Sequence, residues 1–312
     1  MTRFATLDIG TNSQLLLVAE RDERGDFHDL LDRAVVTRLG LGLERTGSLQ
    51  LQTMEHNLDQ IRVFLRLCSD MGVDKIAAAG TLCLRKAKNA GDFLREVERE
   101  TGIRIEVVSG EEEARLTFIG VRSGLPAGMA RPLVFDLGGG SCEFILGQDG
   151  RIERRFSLEV GAVRMTDRFL PSDPAAPGEI DSLRSHLDGE ALVELTTLAD
   201  FQSLVGVGGT VTTLGAMHLE LEDYRADRIQ GMELARADID GLCEKLAFLS
   251  VAERKRLSGL DPKRADVILA GALIVQRIVH LLGAGGLVVS DRGLRHGLMQ
   301  ERFGPVAARD AK

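Results

Sequence analysis

Residues 134–144 (VFDLGGGSCEF) bring two carboxylates, a glycine turn and a hydroxyl into one short stretch. The apolar start predicts a buried strand that ends at Asp136, and Glu143 begins the return strand. Glycines without side chains allow backbone N–H groups to surround an anion, and a serine adds a hydroxyl donor. The candidate anion-binding residues are Gly138, Gly139, Gly140 and Ser141. This order predicts a phosphate held beside a divalent cation; the alternative is a tight hairpin turn with two solvated acids.

The same pattern occurs a second time near the N-terminus. Residues 6–18 align on residues 134–146 without a gap, with Asp8 at the place of Asp136. A second pair of small-residue turns, residues 79–81 and 208–210, follows at the same spacing to within one residue. Matching turns in two halves predict a duplicated α/β domain with the ligand in the cleft between the halves.

The length and composition fit a globular protein with two domains. A chain of 312 residues can form two cores, and 44% hydrophobic with 28% charged residues is typical of globular proteins. The loop at residues 126–132 predicts a boundary between domain 1–126 and domain 127–312. The four cysteines show no CxxC spacing and no partner histidines, which argues against a zinc site or a disulfide framework and favours a reducing compartment.

Charge and apolar patterning exclude several classes of partner. A net charge of −8 and an aromatic content of 4% argue against binding to nucleic acids or anionic membranes. A strand is predicted directly after the first residues, which leaves no room for a signal peptide, and the longest apolar run, residues 267–275, is too short to span a bilayer. A cytoplasmic protein without nucleic-acid or membrane partners is expected.

The predicted phosphate site requires a positive charge. Two unit charges about 4 Å apart repel by about 1 kcal/mol in water, and by several-fold more where solvent is excluded. Asp136, Glu143 and a phosphate therefore need Mg²⁺ or Mn²⁺, or nearby arginines, to coexist. Arg38, in a glycine-rich turn, and Arg85, just past a strand end, are candidates. A solvated position is the alternative for each of the two arginines.

The acidic run at residues 111–113 supplies a candidate general base. Ser109 and Glu112 have the spacing of a helix-capping box, and the helix dipole accounts in part for Glu111. Neither effect explains Glu113. A carboxylate in the first turn of a helix near the predicted cleft can activate water.

The C-terminal half adds a glycine-led helix start, a charged run and a long helix. Gly209 and Thr210 open a helix whose N–H groups can bind an anion; a plain tight turn is the alternative. Residues 253–256 (ERKR) are predicted to form a solvated face. Residues 262–282 are predicted to form one long helix, with Arg264 beside its apolar body.

Taken together, these motifs resemble the exopolyphosphatase / guanosine pentaphosphate phosphohydrolase (Ppx/GppA) family over nearly the whole chain, about residues 1–305. The matching segments are residues 8–13 (DIGTNS), 81–85 (TLCLR), 109–115 (SGEEEAR), 136–143 (DLGGGSCE), 206–210 (GVGGT) and 290–297 (SDRGLRHG). Each segment alone is weakly specific, but their joint order is highly specific. The resemblance implies two ribonuclease-H-like domains of the sugar kinase/Hsp70/actin superfamily with an active-site cleft between them.

The resemblance also implies roles for the matching residues. Glu113 would activate the water for in-line attack on a terminal phosphate. Asp136 and Glu143 would hold the divalent cation or position the water, and Asp8, the counterpart of Asp136, is a third candidate metal ligand. The residues that would grip phosphates are Asn12, Ser13, Arg85, Gly138, Gly139, Gly140, Ser141, Gly208, Gly209 and Thr210.

Some features depart from the common family pattern. Gln14 stands where many members carry a basic residue, and His296 replaces a common glutamate, so their effect on substrate range is open. Many members continue into a helical domain of the His-Asp phosphohydrolase type, whereas this chain is expected to be the short two-domain form. That expectation puts processive action on long chains in doubt. A homodimer is a further expectation, because subunits of the family can pair.

The expected activity is Mg²⁺-dependent removal of the terminal phosphate from inorganic polyphosphate, with short chains preferred. Guanosine pentaphosphate is the second candidate substrate. The rival classes are a kinase of the same superfamily and a nucleotide-gated, actin- or Hsp70-like binding protein. Both rivals leave Glu113 without a role, and both predict that ATP stabilises the protein more than polyphosphate does.

Overall fold

The computed structural model describes residues 2–125, 129–198 and 200–305, which belong to two compact units. Of the described residues, those up to Ser123 and those from Gly293 on form unit 1, and those between Gly124 and Arg292 form unit 2. The predicted boundary between residues 126 and 127 lies outside the described residues. Within the described ranges, no helix is both long and apolar enough to cross a membrane.

The described part of unit 1 is built on a five-stranded sheet in the order β3-β2-β1-β4-β5. The strands are β1 (Thr2–Ile9), β2 (Ser13–Arg21), β3 (Phe27–Val36), β4 (Lys75–Gly80) and β5 (Ile105–Val107). The helices that follow them are α1 (Leu43–Thr46), α2 (Leu51–Asp70), α3 (Leu82–Lys86), α4 (Ala90–Thr101) and α5 (Gly110–Arg122). Helix α2 buries Ile61, Phe64 and Cys68 at helical spacing, and Gly72, with a φ of 64°, follows its last turn.

The described part of unit 2 is built on a six-stranded sheet in the order β10-β11-β9-β6-β7-β8. The strands are β6 (Pro132–Leu137), β7 (Cys142–Gln148), β8 (Arg151–Leu158), β9 (Ser203–Val207), β10 (Glu233–Ala235) and β11 (Gly286–Val289). The helices are α6 (Ala162–Phe169), α7 (Pro177–His186), α8 (Gly209–His218), α9 (Ala226–Ile229), α10 (Arg236–Phe248), α11 (Val251–Arg254) and α12 (Ile268–Leu281). Short helical turns occupy Leu187–Ala191, Val193–Thr197 and Pro262–Arg264.

The long helix expected over residues 262–282 is two elements in the structure. A 3₁₀ turn over Pro262–Arg264 comes first, and α12 begins only at Ile268. The side chain of Asp261 accepts a hydrogen bond from the Lys263 amide at 2.9 Å, which caps the turn locally. Because Pro262 lacks an N–H, it fits the first position of this turn.

The last helix, α13 (Leu294–Phe303), belongs to unit 1, whereas the predicted second domain extends to residue 312. A Cβ atom on Gly297 would lie 1.7 Å from the carbonyl oxygen of Leu116 in α5, so α13 approaches α5 at backbone distance. The guanidinium of Arg295 also donates to both carboxylate oxygens of Asp32 in β3, at 2.8 and 2.7 Å. The chain thus returns to its first unit, which local periodicity does not reveal.

The two sheets confirm the predicted duplication of a ribonuclease-H-like domain. In each sheet the first strand pairs antiparallel with the second and parallel with the fourth strand of its half (β1 with β2 and β4; β6 with β7 and β9). Asp8 lies opposite Ala79, and Asp136 lies opposite Val207. The turns match in their hydrogen bonds as well, because the amide of Gly10 donates to the Ser13 carbonyl at 2.9 Å and the corresponding bond at 138–141 is 3.0 Å.

Candidate functional site

Unit 2 carries an acidic pair at the end of β6. Asp136 lies directly opposite Glu143 on β7, so the two side chains project from the same face of the sheet. Glu143 is 1% exposed, and its Oε1 accepts a hydrogen bond from the Ser157 hydroxyl at 2.7 Å. Facing carboxylates repel each other, and their hard oxygen atoms are ligands that Mg²⁺ prefers. The pair therefore fits a divalent cation.

The predicted third metal ligand, Asp8, lies in unit 1. Its opposite residue on β2 is Leu15, so β1 and β2 lack the facing acid found in unit 2. Among the described residues, no group of three or more His, Cys, Asp or Glu side chains is arranged to hold a metal ion. Mg²⁺ is commonly bound by one or two carboxylates plus waters and substrate phosphates, and the pair in unit 2 provides those carboxylates.

The glycine turn between β6 and β7 is held in place by the start of α6. The amides of Ala162 and Val163 donate to the carbonyls of Gly138 and Gly139, at 3.1 and 2.9 Å. A Cβ atom on Gly161 would lie 2.4 Å from the backbone of this turn, so only glycine permits the approach. Within the described residues, the N–H groups of Gly139 and Gly140 donate to no acceptor. Successive N–H groups in such a turn form an anion-binding nest.

The start of α8 lies beside Asp136. Gly208 has a φ of 97°, and a Cβ atom there would lie 3.0 Å from Oδ1 of Asp136 and 2.5 Å from the Leu137 carbonyl oxygen. The first N–H groups of a helix lack intrahelical acceptors, and α8 has no side-chain cap. Gly209 and Thr210 are the first residues of this helix, so their N–H groups stay candidates for binding an anion beside Asp136.

Arg264 is a site residue that the sequence reasoning missed. A Cβ atom on Gly209 would lie 2.3 Å from Nη1 of Arg264, so the guanidinium rests on the N-terminus of α8. Burial lowers the pKa of Arg264 from its usual value, and the charge of the Asp261 carboxylate opposes that effect. An arginine remains cationic under such conditions. Its sequence context, a proline turn before an apolar helix, gives no signal that the side chain reaches α8.

The candidate base in unit 1 is paired with the candidate phosphate-binding arginine. Nη1 of Arg85, in α3, donates to Oε2 of Glu113 at 2.7 Å and to the Val108 carbonyl at 2.8 Å. Glu113 is 8% exposed. Among the described residues, both partners of Arg85 are bound through Nη1, so Nε and Nη2 can still donate to an anion.

The position of Glu113 follows from the start of α5. The hydroxyl oxygen of Ser109 accepts from the Glu112 amide at 3.1 Å, which confirms the predicted N-cap. The Glu112 carboxylate accepts hydrogen bonds from Arg115 on the same helix, at 2.9 and 2.8 Å. Glu113, which helix capping does not explain, is therefore the acid that pairs with Arg85.

Backbone hydrogen bonds from a neighbouring segment hold the turn after β1, as they hold the corresponding turn in unit 2. The carbonyl of Asn12 accepts from the amides of Thr37 and Arg38, at 3.0 and 2.9 Å. Asn12 and Ser13 are 8% and 7% exposed. Arg38 has a φ of 54°, so its backbone adopts a left-handed conformation to reach the turn.

Gln14 is buried in the core of unit 1. Its Nε2 donates to the carbonyl and to Oδ1 of Asn57 in α2, at 3.0 and 2.7 Å. Asn57 in turn donates to the Thr37 carbonyl at 3.1 Å. Gln14 therefore connects β2 to α2. Through Asn57 it also supports Thr37, whose amide donates to the Asn12 carbonyl.

His296 is buried in α13 beside two acids of β3. It is 4% exposed, and its Nε2 lies 3.5 Å from a carboxylate oxygen of Asp29 and 3.8 Å from one of Asp32. Burial lowers the pKa of His296 and outweighs the hydrogen bond to Asp29, which acts in the opposite direction. The charge of neighbouring Arg295 lowers this pKa further.

Replacing His296 by Gln is expected to flatten the pH dependence of stability below neutrality. The unfolded chain binds the proton more readily than the folded one, so the wild type loses stability as the pH falls from about 6.5 through the lowered folded-state pKa. The slope for this residue is at most about 1.4 kcal/mol per pH unit. Thermal melting between pH 7 and 5 measures it.

His28 provides a matched control for that experiment. Its hydrogen bond to Asp22 raises its pKa, so its contribution is present at low pH and is lost as the pH rises through the raised value. His28→Gln should therefore change the pH profile with the opposite sign. If His296→Gln and the wild type lose stability equally between pH 7 and 5, His296 does not titrate as described.

The fold and the two matching glycine turns define a class, the proteins built from two ribonuclease-H-like units. The Ppx/GppA phosphatase family matches residues 17–304, and the chain belongs to this family. Membership places it among the phosphoanhydride hydrolases, as the joint order of the motifs predicts.

Relatives of known identity match over nearly their whole length. Exopolyphosphatase 2 of Mycobacterium tuberculosis is 30% identical over 312 residues, covering 96% of this chain and 98% of that protein. The crystal structure of an Aquifex aeolicus member of the Ppx/GppA family is similar with a TM-score of 0.82 at 30% identity, covering 100% of this chain and 99% of that one. An exopolyphosphatase from Cytophaga hutchinsonii gives a TM-score of 0.90 at 27% identity, with 97% and 98% covered.

Proposed function

We propose that the protein is an exopolyphosphatase that removes the terminal phosphate of inorganic polyphosphate by attack of water. The observation that carries the proposal is the turn at Gly139 and Gly140, whose N–H groups meet no acceptor among the described residues, in the same unit as a facing carboxylate pair. The near full-length similarity to a protein named exopolyphosphatase 2 supports this substrate.

Glu113 is the proposed general base. Its carboxylate takes a proton from water while the water oxygen bonds to the terminal phosphorus. The bridging P–O bond breaks, and its electron pair leaves with the shortened chain. The ion pair with Arg85, at 2.7 Å, fixes the orientation of the carboxylate.

Phosphate binding is assigned to backbone N–H groups and to arginines. In unit 2 the groups are the glycine turn, the start of α8 and the guanidinium of Arg264. In unit 1 they are the turn at Asn12 and Ser13 and the remaining donors of Arg85. Arginine and preorganised N–H groups stabilise the charge that develops on a transferred phosphate.

Asp136 and Glu143 are proposed to hold Mg²⁺, or Mn²⁺, with Asp8 as a further candidate ligand. A bound cation would neutralise phosphate charge and polarise a phosphoryl oxygen. The two acids themselves face each other across β6 and β7, and Ser157 fixes the orientation of Glu143.

The test is phosphate release by the wild-type protein from tripolyphosphate, long-chain polyphosphate and ATP, with Mg²⁺ and with a chelator. We expect release from both polyphosphates, faster per chain end on the short one, and its loss with the chelator. ATP should be a poor substrate. If no polyphosphate releases phosphate while ATP alone raises the melting temperature, the kinase or binding-protein classes replace this proposal.

Guanosine pentaphosphate is the second candidate substrate, favoured by an aromatic side chain near Arg264. Tyr224 is 52% exposed, its hydroxyl donates to Oδ1 of Asp291 at 2.5 Å, and its phenol oxygen lies within electrostatic range of the Arg264 guanidinium. An exposed ring can stack on a nucleobase. The same assay with guanosine pentaphosphate measures this activity, and a kcat/KM above that for tripolyphosphate would make it the principal one.

A further inference from the structure

Arg254 lies in the charged run 253–256 that is predicted to be a solvated face, yet it is 3% exposed. Its Nε donates to the Leu246 carbonyl in α10 at 3.0 Å, and its Nη1 to the Ala265 carbonyl at 3.4 Å. Within the described residues, its buried Nη2 has no hydrogen-bond partner. A buried guanidinium with incomplete hydrogen bonding costs stability, so packing alone does not account for it.

The contact with Ala265 falls directly after Arg264. The 3₁₀ turn that carries Arg264 is capped at its start by Asp261, whose carbonyl also accepts from the Arg264 amide at 2.8 Å. At its other end the turn meets Arg254 through the carbonyl of Ala265, which is itself fully buried. The turn is thus held on both sides of the residue whose guanidinium rests on Gly209.

Two carboxylates act electrostatically on Arg254. Burial lowers its pKa, and the carboxylates of Asp173 and Asp266 oppose that effect. Asp173 also accepts from the amide of Val251, the first residue of α11, at 2.8 Å. The short helix that carries Arg254 is therefore fixed at its N-terminus by an acid whose charge also acts on the guanidinium.

We infer that Arg254 is a positioning residue for phosphate binding: through the Ala265 carbonyl it holds the 3₁₀ turn at Pro262–Arg264, so that Arg264 lies over the N-terminus of α8. The inference rests on the proposed function, in which Arg264 contacts a phosphate of the substrate. Arg254 would thus contribute to substrate affinity without contacting the substrate itself. Arg254 should therefore act on KM, and only when Arg264 is present.

A double-mutant cycle on the full chain tests this dependence, using Arg254→Met, Arg264→Met and the double variant. Arg254→Met should raise the KM for tripolyphosphate about tenfold, the loss of roughly one charge-assisted hydrogen bond, with kcat within about threefold. In the Arg264→Met background the same change should have no further effect on KM. Arg254→Lys keeps the charge with fewer donors and should recover part of the affinity.

Two additions separate positioning from a loss of stability and from failure of the proposed function. Leu183→Ala, at a fully buried position in α7, should lower the melting temperature without changing KM. Calorimetry of tripolyphosphate binding to the same variants measures the coupling between Arg254 and Arg264 without turnover. The inference therefore holds if the two substitutions are coupled in binding even where no hydrolysis occurs. Equal effects of Arg254→Met in both backgrounds, or no effect of Arg264→Met on binding, would overturn it.

Discussion

Replacing Glu113 by Gln should lower kcat for phosphate release from polyphosphate by about two to four orders of magnitude, because an amide cannot take the proton from the attacking water. The change should leave KM nearly unaltered. Glutamine has the same size as glutamate, and its carbonyl oxygen can still accept the hydrogen bond from Arg85 that is 2.7 Å long in the wild type. Steady-state kinetics on tripolyphosphate provide both numbers.

Glu112→Gln is the matched control for this variant. Glu112 occupies the same helical turn and carries the same charge, but its carboxylate binds Arg115. We expect kcat within about twofold of the wild type, since surface ion pairs of this kind contribute little. An unchanged kcat in Glu113→Gln would refute the assignment of the base while leaving the fold untouched.

Gly208→Ala should lower activity by at least about 100-fold and should also destabilise the protein by about 1–3 kcal/mol. The φ of 97° is strained for alanine, and the new Cβ atom would lie 2.5 Å from the Leu137 carbonyl oxygen and 3.0 Å from Oδ1 of Asp136. Relief of these contacts must move the start of α8 or the carboxylate of Asp136. Kinetics and thermal melting measure the two effects.

Gly241→Ala controls for the substitution itself. Gly241 lies in the middle of α10, where an added Cβ atom meets nothing within 4 Å, so alanine should stabilise the helix by about 0.5–1 kcal/mol without altering kcat or KM. Wild-type activity in Gly208→Ala would show that the start of α8 takes no part in binding or catalysis.

Much of the fold could be predicted because the signals were local and repeated. The gap-free alignment of the two glycine turns corresponds to the same hydrogen bond in both units, from Gly10 to Ser13 and from Gly138 to Ser141. The strand register then places Asp8 opposite β4 and Asp136 opposite β9, the strands that lead into the turns at residues 79–81 and 208–210. A motif that occurs twice predicts a fold more strongly than a single copy, because the two copies must agree in spacing and residue type.

What could not be predicted depends on contacts between distant parts of the chain. Arg264 and Arg254 look like surface cations in the sequence, but Arg264 packs on the start of α8 and Arg254 bonds to carbonyls of α10 and of Ala265. Gln14 replaces a residue that is basic in many family members, near the phosphate turn. Side chains alternate between the two faces of β2, and the face that carries Gln14 lies against Asn57. The return of α13 to unit 1 rests on the close approach of Gly297 to α5, which no local pattern reveals.

The most direct test of the account is hydrolysis of tripolyphosphate by the wild-type protein in water enriched in oxygen-18. Attack of water on the terminal phosphorus predicts one labelled oxygen in the released phosphate and none in the pyrophosphate product. Label in the pyrophosphate instead would place the attack on the central phosphorus. Absence of any released phosphate would contradict the assignment of this chain as an exopolyphosphatase.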